Sequence, residues 1–179
     1  LHLHTRYSTL DALTDPTAFT VQAGATFDLN GFQTHVGSLA GAGAVTLNNG
    51  RLDTGYNNTS TIFSGAVTGA DGGVSVFTKN GSGTLTLRGT VALGNGGGVL
   101  NSFAQINAGT LQLTSTGSFS ADLIQNFSTI ENSGTIEAFS NFQTFGTVTN
   151  NVTGVIKGNT QNFSTFNNYG TMAGLQSLG

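Results

Sequence analysis

Apolar and polar residues alternate in short runs along most of the chain, and each run closes on glycine or asparagine. In "INAGTLQLTSTGSF" (106–119), Ile106, Ala108, Thr110, Gln112 and Thr114 fall on one side of an extended backbone, with Leu111 and Leu113 on the other. A period of two is the signature of a strand with one buried face. The same phrase recurs as "ATFDLNG" (25–31), "GAVTLNNG" (43–50), "GTLTLRG" (83–89) and "GTLQLTSTG" (109–117). No such run is long or apolar enough to be stable alone.

From about residue 119 a second repeat begins. "QNFSTIENSGTI" (125–136), "SNFQTFGTV" (140–148) and "QNFSTFNNYGTM" (161–172) share the frame Asn-Phe-x-Thr-Ile/Phe. This frame equates Asn126, Asn141 and Asn162, then Phe127, Phe142 and Phe163, then Ile130, Phe145 and Phe166. Its two spacings, 15 and then 21, are unequal. The stretch "FSADLIQ" (119–125), at the junction of the two repeats, is expected to make a single helical turn.

Repeats of this length built from short strands predict one coil of a β-solenoid each. The fold expected is all-β, a right-handed parallel β-helix, with coils over 1–118 of one repeat type continuing into coils of the second type over 119–179. Stacked coils pair every strand with the coil above and below at about 4.8 Å. Leucines of successive coils then form an inner column, and threonines line the outer surface, where β-branched residues fit a pleated sheet. Glycine and asparagine take the corners, where positive φ is needed, and repeated asparagines at a corner are expected to form a hydrogen-bonded ladder. A β-sandwich is the alternative; it also has short strands and frequent turns, but its strands need not resemble one another.

Composition sharpens this picture. Charged residues are 7% of the 179 residues and hydrophobic residues 37%, while glycine numbers 27. Helix formers for exposed faces are scarce. The net charge is only −3 and there are 13 phenylalanines, which argues against disorder. Five Lys and Arg scattered from Arg6 to Lys157 make no basic patch, so nucleic acid is not an expected partner. No apolar run has the length of a membrane span, and Arg6 is not followed by the apolar stretch of a signal peptide. The first residue is Leu, so a mature or truncated piece is expected. The chain has no cysteine, which excludes disulfides and thiolate metal sites.

The span from about 20 to 115 resembles the passenger-associated strand repeats of bacterial autotransporters. The likeness is carried by "AGATFDLNGFQTHVGSLAGAGAVTL", "STIFSGAVTGADGG", "FTKNGSGTLTLRGT" and "INAGTLQL", in the family's order. Lys79, Gly81, Gly83, Thr84, Leu85, Leu87 and Gly89 match the first half of the repeat. Ile106, Asn107, Gly109, Thr110, Leu111 and Leu113 match the second. Where the family's loop holds Tyr-Thr-Gly-Gly, this chain reads "VALGNGGGVLNSFAQ" (91–105). The resemblance implies a secreted right-handed parallel β-helix of the kind found in large bacterial surface proteins and adhesins. It implies no catalytic residue, because the motif is structural.

The candidates for chemistry are few. The acids are Asp11, Asp15, Asp28, Asp53, Asp71, Asp122, Glu131 and Glu137. A solenoid can bring distant carboxylates together as glycan-cleaving enzymes require, and Asp28 with Asp53, about one coil apart, is the pair to consider; turn and surface roles are preferred for both. Asp11/Asp15 and Glu131/Glu137 are the close pairs in sequence. His2 and His4 share a strand face but lack a third metal ligand, and His35 is expected at the surface. "TGADGG" (68–73) is read as a turn, not a calcium loop, and "GNGGG" (94–98) lacks the Lys-Ser/Thr of a phosphate loop. Of the phenylalanines at 119, 127, 139, 142, 145, 163 and 166, most are assigned to the core, with Phe127, Phe142 and Phe163 stacked in a column; a carbohydrate-stacking face is the alternative. The repeated Thr-x-Thr of "TLT" (84–86) and "TST" (114–116) is too irregular for an ice-binding face.

The expected function is therefore a non-catalytic extracellular stalk or fibre, structural or adhesive, at a bacterial cell surface. No catalytic, cofactor-binding or metal-binding residue is assigned and no cofactor is expected. A glycan-active enzyme, lyase or hydrolase, on the same scaffold is the alternative. The expected partners are the chain itself, through head-to-tail joints or through residues 1–10 added as a strand to a neighbour, a longer parent chain, or host and surface glycans.

Overall fold

A computed structural model describes residues 2–3, 17–70, 73–94, 102–174 and 176–178. Three strands per coil, separated by tight corners, wind into a right-handed parallel β-solenoid. Eight coils stack in this part of the chain. The first face is built from Ala18–Val21, Ser38–Gly41, Thr61–Phe63, Thr84–Leu87, Thr110–Leu113, Thr129–Asn132, Thr147–Asn150 and Phe166–Asn168. The second runs through Thr26–Asp28, Ala44–Thr46, Ala66–Thr68 and Thr90–Ala92, then through the opening halves of the long strands Ser118–Asn126 and Thr135–Thr144, to Val155–Lys157 and Thr171–Ala173. The third holds Gln33–Val36, Arg51–Thr54, Val76–Lys79 and Phe103–Ile106, the closing halves of the same long strands, Thr160–Asn162 and Gln176–Leu178. Residues His2–Leu3 pair with Thr26–Phe27 of their own chain; the rest of 1–10, including His4, lies outside the described residues.

Coil length varies along the stack, as partners on the first face show. Each coil lengthens through the pairs Ala18 with Ser38, Gly41 with Phe63, Thr61 with Leu85 and Thr84 with Thr110. It then shortens at Thr110 with Thr129, and holds constant through Thr129 with Thr147 and Val148 with Phe166. The described strands stay in register across these changes of coil length.

The interior is a set of columns. Leu85 stacks on Leu111 and Leu87 on Leu113, all four buried, while Thr84, Thr86, Thr110 and Gln112 face out. Ile106 is also buried, although strict alternation places it with Thr110. The corner at 107–109, where Gly109 has φ of 66°, resets the phase. On the second face the inner column is Phe27, Val45, Val67, Val91, Phe119, Ile136, Ile156 and Met172. One column changes chemistry as it climbs. Phe63, Leu87 and Leu113 are followed at the same inward position by Asn132, Asn150 and Asn168. Asn132 Nδ2 donates to Asn150 Oδ1 and Asn150 Nδ2 to Asn168 Oδ1, both at 2.8 Å. At the corner after the third face Asn107 Nδ2 donates to Asn80 Oδ1 at 2.9 Å, as expected, and a second asparagine ladder runs inside the coil, with Asn132 and Asn150 fully buried.

Two expectations are corrected. "FSADLIQ" is no helical turn: it belongs to the strand Ser118–Asn126, with its side chains alternating between core and surface and a bulge beside Asp122. On the first face and in the glutamine column of the third the tail steps by 18, not by 15 and 21, while the second face steps by 20 and then 16. Gln125, Gln143 and Gln161 are partners, and Ile130, Val148 and Phe166 are partners. The Asn-Phe of 141–142 is not in the frame of 126–127; it pairs with Leu123 and Ile124 instead. Pairing runs through residue 118 without a break.

Corners explain the glycines. Gly81 has φ of 66°, and a Cβ there would lie 1.8 Å from the Gly55 carbonyl oxygen of the coil before. Asn30, Asn48, Asn49 and Asn58 hold φ between 48° and 70°, the left-handed region asparagine tolerates best among residues with a side chain.

Candidate binding surface

The carboxylates do not converge. Asp28 lies on the second face of the first coil, where Asn48 Nδ2 and the Asn30 amide donate to Oδ1 at 2.8 and 2.9 Å. Asp53 lies on the third face of the next coil, so the two cannot flank one glycosidic bond as a catalytic pair. Glu131 is on the first face, accepting from Gln112 Nε2 at 2.9 Å, and Glu137 is on the second, 3.7 Å from Lys157 Nζ. Asp122 is buried and accepts the Ser102 amide at 2.9 Å. Asp11, Asp15 and Asp71 lie outside the described residues, as does most of the 94–98 glycine run. Among the described residues no group of three His, Asp or Glu is placed to hold a metal, and no helix is long and apolar enough to cross a membrane.

Polar groups do gather around Asp53. The carboxylate is 1% exposed, and both its oxygens lie 2.8 Å from Arg51 Nε. His35 Nε2 is 3.4 Å from Oδ2 and 2.8 Å from Gln33 Nε2, and the imidazole stacks on Tyr56 with centroids 5.6 Å apart. The register pairs Gln33 with Arg51 and His35 with Asp53, so the cluster is a product of coil stacking. Asp53 is held by Arg51 and faces His35, and its register partner on the following coil is Thr78, whose hydroxyl is buried. This arrangement positions donors at a surface.

Lys79 is the buried cation among the described residues. Its Nζ donates to the carbonyl oxygens of Asn80, Gly81 and Ala108 at 2.6, 2.9 and 3.1 Å. Asn80 and Gly81 belong to the corner after Lys79, and Ala108 to the corner one coil on, so the ammonium ties two coils together. Burial lowers its pKa from 10.5 to about 8. The role is structural.

The phenylalanines divide in a way the Asn-Phe frame does not foresee. Phe119 and Phe142 are buried, and Phe166 packs partly against the core. Phe127, Phe145 and Phe163 are exposed. They, not Phe127, Phe142 and Phe163, form the stack: centroids are 5.1 and 4.9 Å apart with interplanar angles of 7°. The column expected in the core is therefore an outer ladder, set at the corner that follows the third face. Beside it, Gln125 Nε2 donates to Gln143 Oε1 at 2.8 Å, and Gln143 Nε2 to Gln161 Oε1 at 3.1 Å. A carbohydrate platform needs open ring faces. Here each inner face is covered by the next ring, so only edges and the two end faces are presented. The glutamine ladder lies outside the Asn-Phe frame, yet Gln125, Gln143 and Gln161 carry the true spacing of 18.

Comparison with known proteins gives a distant relationship. The chain is 38% identical over 110 residues to the adhesin BmaC autotransporter of Brucella suis biovar 1 (strain 1330), a match covering 56% of this chain and 3% of that protein. No family model matches the sequence, and no solved structure matches it. The chain is a β-solenoid distantly related to a bacterial autotransporter adhesin.

Proposed function

We propose that this chain is a stiff, non-catalytic segment of an extracellular solenoid that displays or spaces adhesive surfaces at a bacterial cell surface. The observation that carries the reading is the parallel coil stack of the described residues, in which asparagine and glutamine ladders and Lys79 tie coil to coil. The relationship to an autotransporter adhesin supports the location and the adhesive character. The partners that fit are the parent chain's neighbouring coils, other copies joined end to end or by strand addition through residues 1–10, and host or surface glycans. A polysaccharide lyase or hydrolase is disfavoured because Asp28, Asp53, Glu131 and Glu137 stand on separate faces or coils. A turnover screen against polyuronate and neutral glycans tests this directly. No turnover is expected; turnover abolished by Asp53→Ala, with the β-sheet circular dichroism signal retained, would overturn it.

A further inference from the structure

We infer that the Gln–Phe strip of coils five to seven is a lateral contact surface whose occupant is a second copy of this chain. Three side-chain columns lie side by side there: Gln125, Gln143 and Gln161; Phe127, Phe145 and Phe163; Thr129 with Thr147. The inference concerns solution contacts and stands independently of the stalk reading.

Four observations select a second copy. The phenyl rings are 43–56% exposed, and three of them in line give roughly 300 Å² of apolar surface, the size at which a monomer's largest patch is commonly functional. These columns hold no charged residue, so copies approach without Coulomb repulsion across the strip despite the net charge of −3. The side chains are already fixed by ring stacking and amide hydrogen bonds, so little rotamer entropy is lost on contact. Finally, the pitch matches: a ladder spaced by coil stacking meets the same spacing only in another ladder, and stacked aromatics beside amide ladders are the surface from which dry zippers form. In a two-fold arrangement the strip meets itself about its central coil, so that Gln143 of one copy lies against Gln143 of the other, an isologous contact.

The area also sets the strength. A stable interface takes roughly 800 Å² from each partner. This strip supplies less, so the contact is weak in isolation and gains by avidity when several copies are held in parallel.

The chain lacks cysteine, which makes the test clean. Sedimentation velocity from micromolar to millimolar protein is expected to show reversible dimers, and combining Phe127→Ser, Phe145→Ser and Phe163→Ser to weaken them at least about tenfold. Gln143→Cys, which leaves the rings in place, is expected to yield disulfide dimers under mild oxidation well ahead of Thr68→Cys on the second face. A monomer throughout the range, association unchanged in the folded triple variant, or equal crosslinking at 143 and 68 would each overturn the assignment.

Discussion

At Leu111 the fold is decided by which way one side chain points. Leu111 is buried between Leu85 and Ile130, and its neighbours Thr110 and Gln112 face out. Removing most of a buried leucine costs its transfer energy plus a cavity term, so Leu111→Ala should destabilise by about 2–5 kcal/mol. Thr110→Ala should cost under about 1 kcal/mol. Denaturant melts of the two variants check this, and equal losses would contradict the assigned alternation. Lys79 gives a pH signature. Its folded pKa of about 8 is below the unfolded 10.5, so between these values the unfolded chain holds the proton and the folded chain releases it. Its contribution to stability therefore rises as pH climbs from about 8 to 10.5. Comparing wild type with Lys79→Met across that window isolates the effect: wild type should gain stability relative to the variant. A flat difference would remove the buried-ammonium account.

At the level of elements, alternation and corner chemistry were legible because each depends on local rules. "GTLTLRG" and "GTLQLTSTG" announce strands through their period of two, and the glycines and asparagines that bound the strands occupy positive φ at Asn30, Asn48, Asn58, Gly81 and Gly109. Register across coils was less legible. Asn141-Phe142 imitates Asn126-Phe127 and Asn162-Phe163, and only stacking shows that Thr144-Phe145 fills the true frame. The misframing hid the outer phenyl ladder and the glutamines beside it. The long strand Ser118–Asn126 also reads locally as ambiguous, since Ala121, Asp122 and Leu123 break alternation at a bulge against its neighbour Thr135–Thr144. The cluster around Asp53 could not be read from spacing alone. It depends on a coil that closes from His35 to Asp53, a shorter step than the one from Asp53 to Thr78 that follows. The asparagine ladder offers the sharpest test at this scale. Asn150 donates to Asn168 and to the Thr171 carbonyl and accepts from Asn132. Asn150→Ala takes one partner from the buried Asn132 amide, which keeps the Val155 carbonyl, and should cost about 1–3 kcal/mol, read from thermal or denaturant unfolding; a neutral result would mean the ladder holds nothing together.

At the scale of the whole molecule, the eight coils among the described residues, at about 4.8 Å each, make a stack about 40 Å long. Its three faces offer little charge, and its cohesion is the sum of contacts between adjacent coils. The described coils enclose a packed core. Because each coil supports only its neighbours, added coils lengthen the stack without changing its cross-section. Negative-stain microscopy of the native, full-length material tests this most directly. The account predicts unbranched rods of constant width, with length increasing in proportion to coil number at about 4.8 Å per coil; compact particles without a rod axis would contradict it.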